Sequence, residues 1–266
     1  MTSRFLVLLP PSETKSDGGN RRLNKKFHWP ELDPVRAQVR DDLVELSRGN
    51  PDTARAALKI SPKLAETELR RNRELSDPLR KPAVERYTGV LYDAIDAPSL
   101  DPAARAWLDT HVMIHSALYG LVAASDPIAA YRLSHDSRLP GTPLKQRWRG
   151  HIATVLRQHH GPILDLRSKG YVGLGPIDAA PDRAWGDVRE RLADGSTRSL
   201  NHFNKQSKGL LVRHLAERLA GQREVTSLND VAEALTGFVE FKPADSGVVT
   251  IIRGSAATTG PSVETA

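Results

Sequence analysis

Three short apolar runs in this chain each stop at residues able to do chemistry. Phe5-Leu-Val-Leu-Leu9 runs into Pro10-Pro11-Ser12-Glu13-Thr14-Lys15, the run ending at His115 meets Ser116 and Tyr119, and Ile163-Leu-Asp165-Leu166 meets Arg167-Ser168-Lys169. Ligands of α/β proteins sit outside the carboxyl ends of parallel strands. If these runs lie side by side and parallel, their loops converge on one sheet edge. Ser12, Glu13, Lys15, Ser116, Tyr119 and Arg167 would then surround a common pocket, joined by Arg132, which follows Asp126-Pro127 and Tyr131. Lys and Arg neutralise an anionic ligand and form charge-assisted hydrogen bonds to it, while hydroxyls orient it. Glu13 is the obvious general acid or base. Polar loops also follow buried strands in α/β proteins that have no such site, so convergence is an expectation about geometry.

A second constellation is cationic. In Asn201-His-Phe-Asn-Lys205-Gln-Ser-Lys208-Gly209 two lysines stand one turn apart at the start of a helix, where free backbone N–H groups attract anions. From Arg198 to Arg223 the cations are residues 198, 205, 208, 213, 218 and 223, against the single acid Glu217. Residues 132–158 carry Arg132, Arg138, Lys145, Arg147, Arg149 and Arg157 against Asp136. Charge runs usually form solvated faces, but two in one chain favour a phosphate-rich partner.

Positioning these residues takes strands near 5–9, 111–115, 163–166 and 247–252, each a continuous apolar run closed by a breaker. Val35, Val39, Leu43 and Leu46 keep helical spacing up to Gly49-Asn50-Pro51. A helix with Asp52 as N-cap then runs to Lys59, and Ser61-Pro62 opens another through Leu64 and Leu69, forming a helical hairpin. Further helices are expected over Pro102–Thr110, Lys145–His159, Asn204–Leu219 (stopped by Gly221) and Asp230–Leu235. Residues 176–197 are weakly patterned, Leu200–Phe203 reads as a strand, and Gly170-Tyr-Val-Gly-Leu-Gly175 opens no clear helix. The sum is a mixed α/β single domain over residues 1–253, a central mixed sheet flanked by helices, with residues 254–266 as a disordered tail.

Composition removes whole classes of chemistry. There is no cysteine, so thiolate zinc sites, iron–sulfur clusters and Cys nucleophiles are excluded. The nine His residues show no metal-ligand spacing, and neither a P-loop nor a dinucleotide fingerprint occurs. No metal or cofactor is expected. The balance of 38 Lys and Arg against 32 Asp and Glu gives a net charge of +6, which suits anionic partners. Phe5–Leu9 is too short for a signal-peptide core and no segment reaches membrane-spanning length, so a cytoplasmic protein is expected.

The order of motifs is similar to one known family. An apolar strand leads to Pro11-Ser-Glu-Thr14-Lys15; Tyr87-Thr-Gly89-Val-Leu-Tyr92 follows; then come Ser116-Ala-Leu-Tyr119-Gly120 and Asp126-Pro-Ile with Tyr131-Arg132. Trp148 precedes an amphipathic stretch, Asp165-Leu-Arg-Ser168 is followed by Tyr171, and Phe203-Asn-Lys205 by Lys208-Gly209 and Arg213. Over about residues 4–253 the ordered set resembles the YaaA family of bacterial peroxide-stress-response proteins. The resemblance implies a cytoplasmic single-domain α/β protein that protects DNA from iron-driven oxidative damage. It also implies a positively charged cleft and a helix-hairpin-helix element, whose position matches residues 52–72 here. Ser61-Pro62-Lys63 stands where such hairpins use a glycine turn, and Gly18–Arg40 is more basic than the family pattern.

Two readings follow. In the first, Lys63, Arg70, Arg71, Lys205, Lys208 and Arg213 neutralise phosphates of duplex or branched DNA without sequence specificity. In the second, the protein is an enzyme acting on a nucleotide or nucleic-acid base, a nucleotide-like small molecule being its partner. Glu13 is then the acid/base, Lys15 and Arg132 hold the anion, and Ser116, Tyr119 and Asp165 complete the site. A DNA clamp has no need of those last three.

Overall fold

The apolar runs become neighbours in one sheet. The computed structural model describes residues 4–23, 25–192, 194–199, 203–222, 224–243 and 247–253. Strand β1 (Leu6–Leu9) is followed by helices α1 (Asp33–Arg48), α2 (Pro51–Leu58) and α3 (Ala65–Arg73). Next come β2 (Arg80–Pro82), α4 (Ala83–Arg86), α5 (Val90–Ile95), α6 (Pro102–His111), β3 (Val112–Ser116), β4 (Gly120–Ala123) and β5 (Pro127–Ala129). The chain continues through α7 (Leu144–Arg157), β6 (Ile163–Asp165), α8 (Lys169–Gly173), β7 (Arg183–Arg191) and β8 (Thr197–Ser199). It ends with α9 (Phe203–Leu219), α10 (Leu228–Ala234), β9 (Glu240–Pro243) and β10 (Val248–Arg253).

The main sheet has the order β4-β3-β1-β6-β7-β10-β9, with β8 paired to β7. Strands β3, β1, β6, β7 and β10 are parallel, and β4, β8 and β9 are antiparallel additions. β2 and β5 form a separate antiparallel ribbon. The central strand β1 is buried throughout, as a strand covered on both faces must be. From β1 the fold grows to one side through β3 and to the other through β6, β7 and β10. That divergence opens a crevice at the carboxyl ends of β1 and β6, where open α/β sheets bind ligands. One cluster of buried apolar residues runs from Phe5 to Ile251, so the expected single core holds, with no division near Pro98.

Several local readings need correction. Asn50, not Asp52, caps α2, its side chain accepting the N–H groups of Asp52 and Thr53; Pro51 takes the first helical position and moves the cap back by one pair. The weakly patterned 176–197 stretch contains β7, in which Ala184, Gly186 and Val188 alternate inward. Ala184 and Gly186 are too small to show the period, and a Cβ at Gly186 would lie 2.7 Å from the Leu166 side chain, which favours glycine there. A short helix, α8, opens at Lys169 and runs through the first part of the 170–175 glycine run. Gly170 lets the His135 ring pack within 2.5 Å of where its Cβ would be, and Gly175 does the same for Ile152 at 2.2 Å. Of the strand expected over Leu200–Phe203, residues 200–202 lie outside the described residues and Phe203 begins α9. The tail from 254 also lies outside them.

Over the stretch expected to form a hairpin, helices α2 and α3 follow one another and are joined by residues 59–64. Lys59 takes the left-handed conformation at φ 54° and Pro62–Leu64 adds a turn of 3-10 helix. Among the described residues no helix is long and apolar enough to cross a membrane.

Candidate functional site

A cleft of about 730 Å³ opens at the carboxyl ends of β1 and β6. Its walls come from four places: residues 10–14 after β1, Thr88 to Tyr92 at the start of α5, Leu133 to His135 after β5, and Ser168 and Tyr171 around α8. Trp185 of β7 and Asn204, Lys205 and Lys208 of α9 complete it. The volume is that of a small-molecule site. Aromatic surfaces (Tyr92, Tyr171, Trp185 and the His135 imidazole) face it together with two lysines and one exposed carboxylate, Glu13.

Each wall is held by the fold. The loop after β1 is tied to the segment before α5 by a backbone bridge between Lys15 and Tyr87, and by the Thr88 N–H donating to the Thr14 carbonyl at 3.2 Å. Arg86 is fully buried and donates to the carbonyls of Ser16, Gly18, Leu79 and Ile128, which fixes the loop from below. The Tyr92 hydroxyl donates to the Pro10 carbonyl at 2.7 Å. On the opposite side Trp185 Nε1 donates to the Arg167 carbonyl at 2.9 Å, and Lys208 Nζ donates to that of Leu166 at 2.8 Å. Helix α9 reaches the cleft by crossing α5 closely. A Cβ on Gly209 would stand 2.2 Å from the Leu91 carbonyl oxygen, so glycine is required there.

Of the residues expected in a common pocket, Ser12 and Glu13 line the cleft directly. Arg132 pairs with Glu13 at 2.9 Å. Lys15 lies beneath them, 6% exposed, its Nζ donating to the carbonyls of Ser12 (3.0 Å) and Glu13 (3.1 Å) and standing 4.2 Å from the centre of the Tyr131 ring. Burial pushes its pKa down to about 7, with Glu68 opposing the shift. Ser116 is fully buried; its Oγ accepts the N–H groups of Leu118 (3.1 Å) and Tyr119 (2.9 Å). Its hydrogen is left for the Tyr131 hydroxyl at 2.7 Å, itself 2.8 Å from that of Tyr87. Burial raises both phenols well above their ordinary pKa, so the chain of hydroxyls stays protonated.

Tyr119 and Asp165 stand away from the cleft wall. The Tyr119 hydroxyl accepts the Ala129 N–H at 3.3 Å, and its ring packs on Phe27 and Tyr131. Asp165 is fully buried, its two oxygens taken by Arg167 Nε (2.8 Å) and Nη2 (2.6 Å). Arg167 also donates through Nη1 to His115 Nδ1 at 2.8 Å. This buried set shapes the loop that carries Ser168 into the cleft.

The cations assigned to DNA are dispersed. Arg70 pairs with Glu74, and Arg71 with Glu68 and Asp17. Arg213 pairs with Glu217 and donates to Ser99 Oγ and the Ile95 carbonyl. Lys208 is 6% exposed inside the cleft. Among the described residues, exposed Lys63 and Lys205 are the candidates without such partners, one in the α2–α3 turn and the other on the cleft.

His135 and Trp185 of the wall escaped sequence reasoning. Trp185 sits in a strand whose inward residues are too small to give a hydrophobic alternation. His135 is a lone His in a polar stretch, and only the fold sets it 5.1 Å from the Tyr171 ring.

The sequence comparisons agree with the ordered motifs. The family model described as peroxide stress protein YaaA matches residues 5–238. The chain belongs to this family. A UPF0246 protein of Corynebacterium efficiens is 42% identical over 240 residues, covering 88% of this chain and 92% of that protein. UPF0246 proteins of Corynebacterium glutamicum and Streptomyces coelicolor are 36% and 40% identical over 256 and 222 residues, covering 93% and 79% of this chain and 100% and 82% of theirs. The matched span takes in every lining residue of the cleft, from the loop after β1 to α9.

Proposed function

We propose that this member of the peroxide stress family acts in the cytoplasm by binding a nucleotide unit in the cleft. The base lies against the rings of Trp185 and Tyr171, and the phosphate is met by Lys205. The observation that carries this reading is the pairing of aromatic walls with exposed Lys205 in a crevice of nucleotide size at the switch point of the sheet. Base stacking on aromatic side chains is tolerant of sequence, and a lysine beside it neutralises phosphate.

Contact with DNA, implied by the family resemblance, is taken here through the same cleft. An unpaired nucleotide enters it while Lys63 and Lys205 hold flanking phosphates without sequence preference. The α2–α3 hairpin is the second DNA contact in this reading, and Lys59 rather than glycine supplies its left-handed turn. An enzyme built on the site would use Glu13, the exposed carboxylate in the wall that Arg132 orients at 2.9 Å.

Titration of the protein with a mononucleotide, a single-stranded oligonucleotide and a duplex, at several salt concentrations, tests the proposal. Trp185→Ala is expected to weaken the mononucleotide and the single strand by about 1–3 kcal/mol. Lys205→Ala should reduce the salt slope for the single strand by roughly 0.7, the value for one lost phosphate contact. Wild-type binding by both folded variants would refute the assignment to this cleft.

A further inference from the structure

Lys208 is a buried amine for which the nucleotide-binding reading has no use. Its side chain enters the cleft with 6% of the residue exposed, and its single hydrogen-bond acceptor is the Leu166 carbonyl at 2.8 Å. An ammonium carries three donors. Two of them have no protein acceptor among the described residues, and leaving buried donors unmatched is costly. Lys15, the other buried lysine, differs in this respect. Two carbonyls and the face of Tyr131 surround it, and it lies under the cleft wall rather than in it. The Lys15 amine is taken up by carbonyls and a ring beneath the wall, whereas the Lys208 amine has one acceptor and reaches the cleft.

We propose that Lys208 is a covalent site, condensing with the aldehyde or ketone carbon of an anionic ligand to form an imine. The Nζ lone pair attacks the carbonyl carbon and the C=O electrons pass to oxygen. The resulting carbinolamine expels that oxygen as water, which takes both amine hydrogens. Protonation of the imine nitrogen leaves one N–H, and the Leu166 carbonyl is already placed to accept it. Burial in a wall shared with Trp185 and Tyr171 holds Lys208 below its ordinary pKa, at about 8, against the opposing charges of Asp165 and Asp187, so roughly a tenth of the amine is free at pH 7, far more than for a solvated lysine. Lys205, one turn earlier on α9 and exposed, takes the anionic group. The ligand class is a phosphate-bearing aldehyde. Its source is either a free sugar phosphate or the opened deoxyribose of an abasic site in nucleic acid.

The inference rests on the cleft being the ligand site but not on base stacking, and reductive trapping separates the two. The full chain is incubated near neutral pH with cyanoborohydride and one of three probes: glyceraldehyde 3-phosphate, propanal, or an oligonucleotide with one abasic site. Intact mass and peptide mapping then locate any adduct. A single adduct at Lys208 is expected, faster with the phosphorylated aldehyde than with propanal by on the order of tenfold, the factor of one good ionic contact. Lys208→Arg and Lys208→Met should both abolish it, with circular dichroism confirming the fold, while Lys205→Ala keeps the adduct and loses the phosphate advantage. Trapping by one phosphorylated probe and not the other supports the site and identifies the source. Rapid adduct formation at Lys208 without any phosphate advantage supports the amine and counts against the anion subsite of the nucleotide reading. No adduct beyond the rate of surface lysines, or an adduct at Lys15 or Lys205 instead, would overturn the proposal.

Discussion

Replacing Lys15 by Met turns a buried, titrating cation into an apolar side chain of similar length, and the consequence depends on pH in a calculable way. Burial lowers the Lys15 pKa from 10.5 to about 7. Below that value the group is protonated in both folded and unfolded chains, and the native state carries the whole desolvation penalty, on the order of 5 kcal/mol for a shift of this size. As pH rises from about 7 toward 10.5, the unfolded chain keeps its proton while the folded chain has lost it. Stability from this group therefore increases with pH, by up to about 1.4 kcal/mol per pH unit. The variant lacks this term. Losing the donor to the Ser12 and Glu13 carbonyls costs the variant about 1–3 kcal/mol per orphaned acceptor, independently of pH. Between pH of about 7.5 and 9 the wild type should gain about 2 kcal/mol relative to Lys15→Met. Urea unfolding of both proteins at several pH values measures this difference, and Lys208, present in both, cancels. A difference that stays flat through this range would mean Lys15 titrates as a solvated lysine does, and the reasoning from its burial would be wrong.

Asp165→Asn should destabilise the fold by about 3–5 kcal/mol, because it leaves the fully buried Arg167 without its counter-charge; chemical denaturation reads this directly. Gly209→Ala is expected to cost about 1–3 kcal/mol by forcing α9 away from the Leu91 carbonyl, and to weaken ligand binding at Lys205 in the same titration. Gly120→Ala should lower the melting temperature, since φ is +64° there and the new Cβ would meet the Trp148 ring at 2.8 Å. Ser227→Ala removes half of the capping box of α10 and should cost about 1 kcal/mol without affecting the cleft.

Much of the parallel core was legible because its strands are continuous apolar runs closed by prolines or polar turns. The runs at 5–9, 111–115, 163–166 and 247–252 all became strands of one sheet, at 6–9, 112–116, 163–165 and 248–253. The pattern was silent for β4 and β5, whose small residues Gly120, Ala123 and Ala129 carry little hydrophobic signal, and for β7, where Ala184 and Gly186 face inward. Helix starts were misplaced by a residue or two where Pro51 displaced the expected cap. Backbone crossings such as that at Gly209 leave no trace in composition, because what requires the glycine lies on another element.

For the site, the sequence determined which residue types stand just beyond the ends of β1, β3 and β6, since strand ends and their polar loops are set by local pattern. It also determined the charge balance and the ordered motifs that match the family. Tertiary structure alone decided which of those side chains face the cleft. Alike in composition, Lys15 and Lys208 are distinguished by what surrounds their amines, two carbonyls and a ring in one case and a single carbonyl in an open wall in the other. Asp165 and Ser116 were drawn inward because buried partners, Arg167 and Tyr131, satisfy them there. A polar side chain at a strand end goes where its hydrogen bonds are met, and those partners come from segments distant in the chain.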